Sequence, residues 1–207
     1  GQDGILPRAA DELFRLVGEN SACFESTVTG SVLAVYNEDL LDLLTLRGSV
    51  ASANKLAIRQ SGAGKTFVEH LSEEACSTSE DLKALLDRGL KAKDSMVTLA
   101  GRSVRSHFVF MITVARLDKL TRERVVGKLV AVDLAGPQSL KHSHAARPLG
   151  QGCFRDWVAE SIEVNKSLWA LSDVIQAVTG KLKAIPYRNH RLTQLLQDTL
   201  GSFARSV

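Results

Sequence analysis

Apolar residues recur along this chain with two different periods, and the changes between those periods divide it into elements. After Pro7, which suits the first turn of a helix, Ala10, Leu13, Phe14 and Val17 fall on one helical face until Gly18 and Asn20 interrupt it. Val28 to Tyr36 is rich in β-branched residues and predicts a strand. Tyr36-Asn37-Glu38-Asp39 then leads into an apolar run, Leu40 to Leu46, which predicts a short helix. Leu46 to Asn54 is small and polar and reads as a surface loop. Lys55 to Arg59 and Thr66 to Glu69 are short strands on either side of a Gly62 to Gly64 turn, a hairpin.

Further on, Ser77 with Glu80 forms a capping box for a short helix whose apolar face is Leu82, Leu85 and Leu86 and whose C-terminal cap is Gly89. His107 to Leu117 and Lys128 to Asp133 predict buried strands joined by a charged turn, Asp118 to Arg124. Gly136 to Gly152 predicts a long external loop. Ile162, Leu168, Leu171, Ile175 and Val178 mark a long helix ending at Gly180, and Arg191 to Leu200 a last helix ended by Gly201. Trp157 and Trp169 are assigned to helix packing. No internal repeat or low-complexity tract is present.

Composition narrows the class. A chain of 207 residues that is 44% hydrophobic can hold one substantial core, so one domain is expected. The net charge of +3 is small, which leaves any attraction to an acidic partner to local clusters. Cys23, Cys76 and Cys153 lack metal-ligand spacing and predict reduced thiols in an intracellular protein. His142 and His144 lack a third ligand, so they do not make a metal site. No apolar run nears the ~20 residues of a membrane span and no signal-peptide pattern opens the chain, so a soluble protein is expected. Basic residues do not interleave with aromatic ones in the manner of nucleic-acid binders, and the chain opens on Gly1 without an initiator Met, as a fragment would.

The most conspicuous chemical motif is Ser61-Gly62-Ala63-Gly64-Lys65-Thr66, which matches the end of a phosphate-binding loop. Such a loop needs a first glycine where Arg59 stands, a strand before it and a helix after it, so that backbone amides can wrap the phosphates. Phe67, Val68 and Glu69 instead favour a returning strand. The hairpin is the preferred reading; an irregular phosphate loop built on Lys65 and Thr66 is the alternative.

Six ordered blocks carry more weight. They are Gly4-Ile5-Leu6-Pro7-Arg8, Tyr36-Asn37-Glu38 with Asp42-Leu43-Leu44, Arg105-Ser106-His107, Val132-Asp133-Leu134-Ala135-Gly136, Asn165-Lys166-Ser167-Leu168, and Ile185 to Leu200 reading IPYRNHRLTQLLQDTL. In this order they resemble the part of a kinesin motor domain that follows its phosphate loop, over nearly the whole chain. The resemblance implies an α/β fold: part of a kinesin-type P-loop NTPase motor, with a mixed central sheet flanked by helices, lacking the strands around the phosphate loop. It implies that residues 1–207 form one partial motor domain. Without the missing strands, the strand ending at Asp133 should be an unpaired apolar edge.

The same resemblance places Ser103, Arg105 and Ser106 in a first nucleotide-sensing switch and Asp133 and Gly136 in a second. ATP and Mg²⁺ would be met by Ser103, Asp133 and Gly136, since a carboxylate can hold a Mg²⁺ water shell and a glycine amide can approach a phosphate closely. For Asp133 alone, a strand-end cap is the competing reading. The chain departs from the family pattern in both switches. Ala100 replaces an Asn, and Val104 replaces a Ser expected to reach the metal, although a hydrocarbon cannot ligate Mg²⁺. Pro137 and Gln138 stand where Ser and Glu are usual, which removes the charged partner of Arg105 and a backbone donor. Weak or absent ATP hydrolysis is expected.

Microtubules are the implied partner, through Lys166, Lys181, Lys183, Arg188 and Arg191 with His190; Asp173 is the sole acid between Lys166 and Arg191. A merely solvated charged face is the competing reading. Lys141, His142, His144 and Arg147 could extend the contact. A complementary motor-domain segment is a second implied partner, and cytoplasm and cytoskeleton are the implied location. Three functions are thus open: a kinesin-like microtubule-binding protein derived from an ATP-driven motor, a nucleotide-independent microtubule-binding module, and an independent P-loop NTPase using Lys65.

Overall fold

The computed structural model describes residues 4–45, 56–62, 64–99, 105–137 and 151–201, with the backbone alone for 97–99 and 151–157. In chain order the elements are α1 (Ile5–Glu19), β1 (Phe24–Tyr36), β2 (Asp39–Asp42), β3 (Ala57–Gln60), β4 (Thr66–Glu69), β5 (Glu74–Cys76), α2 (Ser79–Leu99), β6 (His107–Asp118), β7 (Arg124–Asp133), α3 (Gln151–Thr179), a 3₁₀ turn (Tyr187–Asn189) and α4 (Arg191–Leu195). The central sheet has the order β2-β1-β6-β7, with β5 also on β1, and each of its described ladders is antiparallel. β1 and β6 pair over their whole length, from Phe24 opposite Asp118 to Val35 opposite His107.

Alternation along β1 and β6 feeds two cores. Val28, Val32, Ala34, Phe108, Phe110 and Ile112 face α1 and α2, meeting Ala10, Leu82, Leu85 and Leu86. Leu33, Val35, Val109 and Met111 face the other way, onto Ile58 of the β3–β4 hairpin and Leu192, Leu195 and Leu196 of α4. The sheet is therefore covered on both faces, as the α/β expectation requires.

The apolar run after Tyr36 is not a helix. Asn37, with φ 54°, tolerates the left-handed region and turns the chain back so that Asp39 pairs with Tyr36 and Leu41 with Ala34. Leu40 and Leu41 then enter opposite cores, and a strand buried on both faces carries the same unbroken apolar run as a buried helix. Gly89 is not a cap. α2 runs ten residues past it, and a Cβ there would lie 2.5 Å from Val32 Cγ1, so the glycine serves close helix-on-strand packing. The capping box sits one residue later than its sequence signature: Thr78 Oγ1 accepts from Asp81 N, while the Asp81 carboxylate accepts from the amides of Ser77 and Thr78. The last helix is short, its backbone continuing as turns from Leu196 to Leu200.

β7 is paired with β6 on one side only, and no described strand lies on the other. Val125 (66% exposed) and Leu129 (47% exposed) sit on this open strand, and a groove of about 1490 Å³ runs beside it, lined in part by Val130, Val132, Leu134, Leu171 and Ile175. The unpaired apolar edge expected from the sequence is present.

Candidate functional site

The β6 start and the β7 end lie next to each other, because Phe108 pairs with Asp133. This register brings the Arg105-Ser106-His107 block to the Val132 to Gly136 block. His107 is 3% exposed and joins three elements. Its Nδ1 accepts from the Ala135 amide (3.1 Å), so the ring proton resides on Nε2, which donates to Ser167 Oγ on α3 (2.7 Å). Ser167 in turn donates to the Val164 carbonyl (2.6 Å). The imidazole must be neutral to accept at Nδ1. Burial, then the nearby His190 and Lys93 charges, lower its pKa to about 4 against the opposing pull of Asp133.

Arg105 makes a second tie, donating from Nη1 to Ser161 Oγ on α3 at 2.9 Å. A third runs from Tyr36, whose hydroxyl donates to the buried Glu160 carboxylate. Ser106 is itself buried. Helix α3 is thus tied to the Arg105 to His107 block through Ser161 and Ser167 and to β1 through Glu160, none of which its apolar spacing singled out.

Asp133 is exposed and carries one ion pair. Lys93 of α2 donates to its Oδ2 at 2.9 Å, and the same ammonium lies 5.6 Å from the Phe108 ring centroid. Lys93 had no sequence signal: it is one of several lysines on α2, and only the fold brings it to the strand end. Gly136 follows Asp133 by three residues, and a Cβ built there would meet no described atom within 4 Å. Ser103, Ala100 and Val104 of the first block, Gln138, and the loop residues Lys141, His142, His144 and Arg147 lie outside the described residues, as do the side chains of Cys153 and Trp157. Among the described residues no group of three or more His, Cys, Asp or Glu could hold a metal.

Gly64-Lys65-Thr66 closes the β3–β4 hairpin, with Gly64 at φ 75°. Three of the amides that a phosphate loop would present are already engaged: Gly64 N donates to Ser61 O (2.9 Å), Lys65 N to Ser61 Oγ (3.2 Å) and Thr66 N to Asp198 Oδ2 (3.0 Å). A strand follows rather than a helix. Lys65 Nζ reaches the Val126 carbonyl at 3.2 Å, and Lys128 of β7 pairs with Asp198 at 2.7 Å, so the hairpin is pinned across the β7 edge. The reading as an independent phosphate loop fails on this geometry.

Of the basic residues, Lys166 lies on α3 and the others follow its end in the chain. Lys166 is exposed and paired with Glu163 one turn earlier. α3 ends in a Schellman motif, Leu182 N to Ala177 O (3.0 Å) and Lys181 N to Val178 O (3.1 Å), and its left-handed residue is Lys181 (φ 52°) rather than Gly180. Lys181, Lys183, Arg188 and Arg191 are exposed. His190 is buried and caps α4, its Nδ1 accepting from Leu192 N at 3.1 Å; burial lowers its pKa. Trp169, assigned to helix packing, is instead 69% exposed, and Ile162 and Ile175 are partly exposed, because α3 buries Ser161, Val164, Ser167, Ala170, Val174 and Ala177.

The β6 start is thus tied to α3 directly, and the segment after β7 is tied to it through His107. The chain matches the kinesin motor domain over residues 1–207 and belongs to the kinesin motor family. It is 36% identical over 205 residues to the kinesin-like protein KIN-14E of Arabidopsis thaliana, covering 99% of this chain and 16% of that protein. Identity to KIN-5A of the same plant is 37% over 207 residues, 96% of this chain and 19% of the other. A solved fast kinesin, described with its ATPase mechanism and interactions with microtubules, superposes with a TM-score of 0.75 at 30% identity over 94% of this chain and 52% of its own. The motor domain of Kar3 from Saccharomyces cerevisiae gives a TM-score of 0.77 at 27% identity, over 98% and 58%. The chain therefore spans about half of the solved motor chains and less than a fifth of these two curated relatives. The family consists of microtubule motors that bind ATP with Mg²⁺. No helix among the described residues is long and apolar enough to cross a membrane.

Proposed function

We propose that this chain is the switch-and-track-contact half of a kinesin head, and that it binds microtubules through α3, the turn after it and α4. The observation that carries the reading is the His107 tie, which fixes the segment after Asp133 to the helix bearing Lys166. The residues present do not fit Mg²⁺-ATP by themselves. Asp133 is paired with Lys93, the Gly64 to Thr66 amides are engaged by Ser61 and Asp198, and the Val104 side chain offers no oxygen. Microtubule binding that does not depend on nucleotide is the form of activity this supports, with hydrolysis weak or absent, in the cytoplasmic cytoskeleton. ATP-driven movement belongs to a complete head. The open β7 edge and its groove support a complementary motor-domain segment as the second partner.

Co-sedimentation tests the reading by charge reversal. The wild-type chain should pellet with microtubules, and Lys181→Glu/Lys183→Glu should lower its affinity at least tenfold at low salt while leaving circular dichroism unchanged, since both side chains are exposed. Unaltered pelleting of the double variant would contradict it.

A further inference from the structure

The open side of β7 has a hydrogen-bonding pattern that its hairpin fixes. Where β6 turns into β7, Asp118 N donates to the Glu123 carbonyl (2.9 Å) and Arg122 N to the Asp118 carbonyl (3.0 Å), so Asp118 and Glu123 form the closing pair. Bonding alternates along an antiparallel ladder, and from that pair the register gives Val125, Gly127, Leu129 and Ala131 their bonds to β6. The N–H and C=O groups of Arg124, Val126, Lys128 and Val130 therefore point outward. Lys65 Nζ, at the hairpin tip, donates to the outward Val126 carbonyl at 3.2 Å. The side chains follow the period of two: Val125 and Leu129, both exposed, share one face of the strand with Gly127 between them.

We propose that two copies of this chain pair antiparallel along their β7 edges about a two-fold axis at Gly127, and that the Lys65 tip is a clasp that leaves Val126 when the pair forms. Outward groups must meet outward groups, which limits the registers. With the axis at Gly127, Val126 bonds with Lys128 of the second copy and Arg124 with Val130. Each Val125 then stands opposite Leu129 of the other copy, covering the most exposed apolar residues of the strand twice over. An axis at Val126 would set Leu129 against Glu123, one at Lys128 would set two ammonium side chains together, and one at Leu129 would set Val125 against the Asp133 carboxylate. The edge is thus its own complement, which selects a second copy as the occupant. An isologous contact of this kind uses up the edge and stops at two chains. It rests on the open edge and not on the microtubule reading, and a complementary motor-domain segment would compete with it for the same strand.

Sedimentation velocity of the full chain should show a concentration-dependent monomer–dimer equilibrium without larger species. Val126→Pro removes an outward donor and no donor of the β6 ladder, so it should weaken the dimer roughly tenfold with circular dichroism unchanged. Lys65→Met frees the Val126 carbonyl and should tighten the dimer severalfold. Oxidation reads the axis, because facing residues that do not bond to each other lie about 4.5 Å apart at Cα, within disulfide reach. A Cβ at Gly127 meets nothing within 4 Å, so Gly127→Cys is accommodated and its two thiols should be found linked to each other by peptide mass mapping. Val125→Cys and Leu129→Cys should cross-link when mixed. A chain monomeric at every concentration, a ladder of larger species, or a dimer in which the thiols at position 127 stay unlinked would overturn the proposal. Microtubule pelleting tests the function proposed above separately, and its failure would leave this dimer standing.

Discussion

His107 carries more of the architecture than its position in a three-residue block suggests. One neutral imidazole accepts from Ala135 and donates to Ser167, so protonation would turn an acceptor into a second donor facing an amide. The folded pKa of about 4 lies below the ordinary 6.5, so the ring contributes stability in full above pH 6.5 and loses it as pH falls from there through 4. A depression of that size in a buried ring corresponds to about 3 kcal/mol at most. His107→Gln keeps one acceptor and one donor without a titrating group. In urea denaturation the wild type should therefore lose stability more steeply than His107→Gln between pH 6.5 and 4.5; parallel losses would remove the role assigned to this ring. The charged groups around it, Lys93, Asp133 and the equally buried His190, are common to both proteins and cancel in the comparison.

At the scale of the element, glycines separate packing from capping. Gly89 sits inside α2 against Val32, so Gly89→Ala should destabilise by about 1–3 kcal/mol despite the helix propensity gained. Gly18 also lies inside a helix, α1, but its Cβ would meet nothing within 4 Å. Gly18→Ala should be stabilising by up to about 1 kcal/mol. Thermal melts of the two variants test this, and shifts of the same sign would contradict it. Element boundaries show how far the sequence reaches. α1, β1 and the hairpin were legible because their periodicity and turn residues agree with their tertiary setting, whereas α3 was legible as a helix but not in the face it buries. β2 was not, because Leu40 and Leu41 enter cores on both faces and erase the alternation that marks a half-buried strand. The outward Trp169 was missed for a related reason: α3 buries Glu160, Ser161 and Ser167, polar residues whose interior place depends on Tyr36, Arg105 and His107 across the sheet.

Among the described residues β7 leaves one edge of the central sheet unpaired. The family blocks could be read from the sequence, and so could the open edge they imply. The Lys93 to Asp133 pair and the pinning of the hairpin by Lys65 and Lys128 arise from contacts between distant elements and had no local signature. A long edge strand with Val125 and Leu129 exposed should drive self-association of the isolated chain. Val125→Lys/Leu129→Lys should raise the monomer fraction in analytical ultracentrifugation. A wild-type chain that is monomeric and melts in one cooperative transition would count against association through this edge.

The central claim is contact with the track that does not wait for nucleotide. Microtubule co-sedimentation of the wild-type chain from low to physiological salt, with and without Mg²⁺-ATP, measures it directly. The account predicts pelleting that weakens steadily with salt and is the same in both nucleotide conditions. Failure to pellet at low salt, or pelleting that ATP switches on or off, would contradict it.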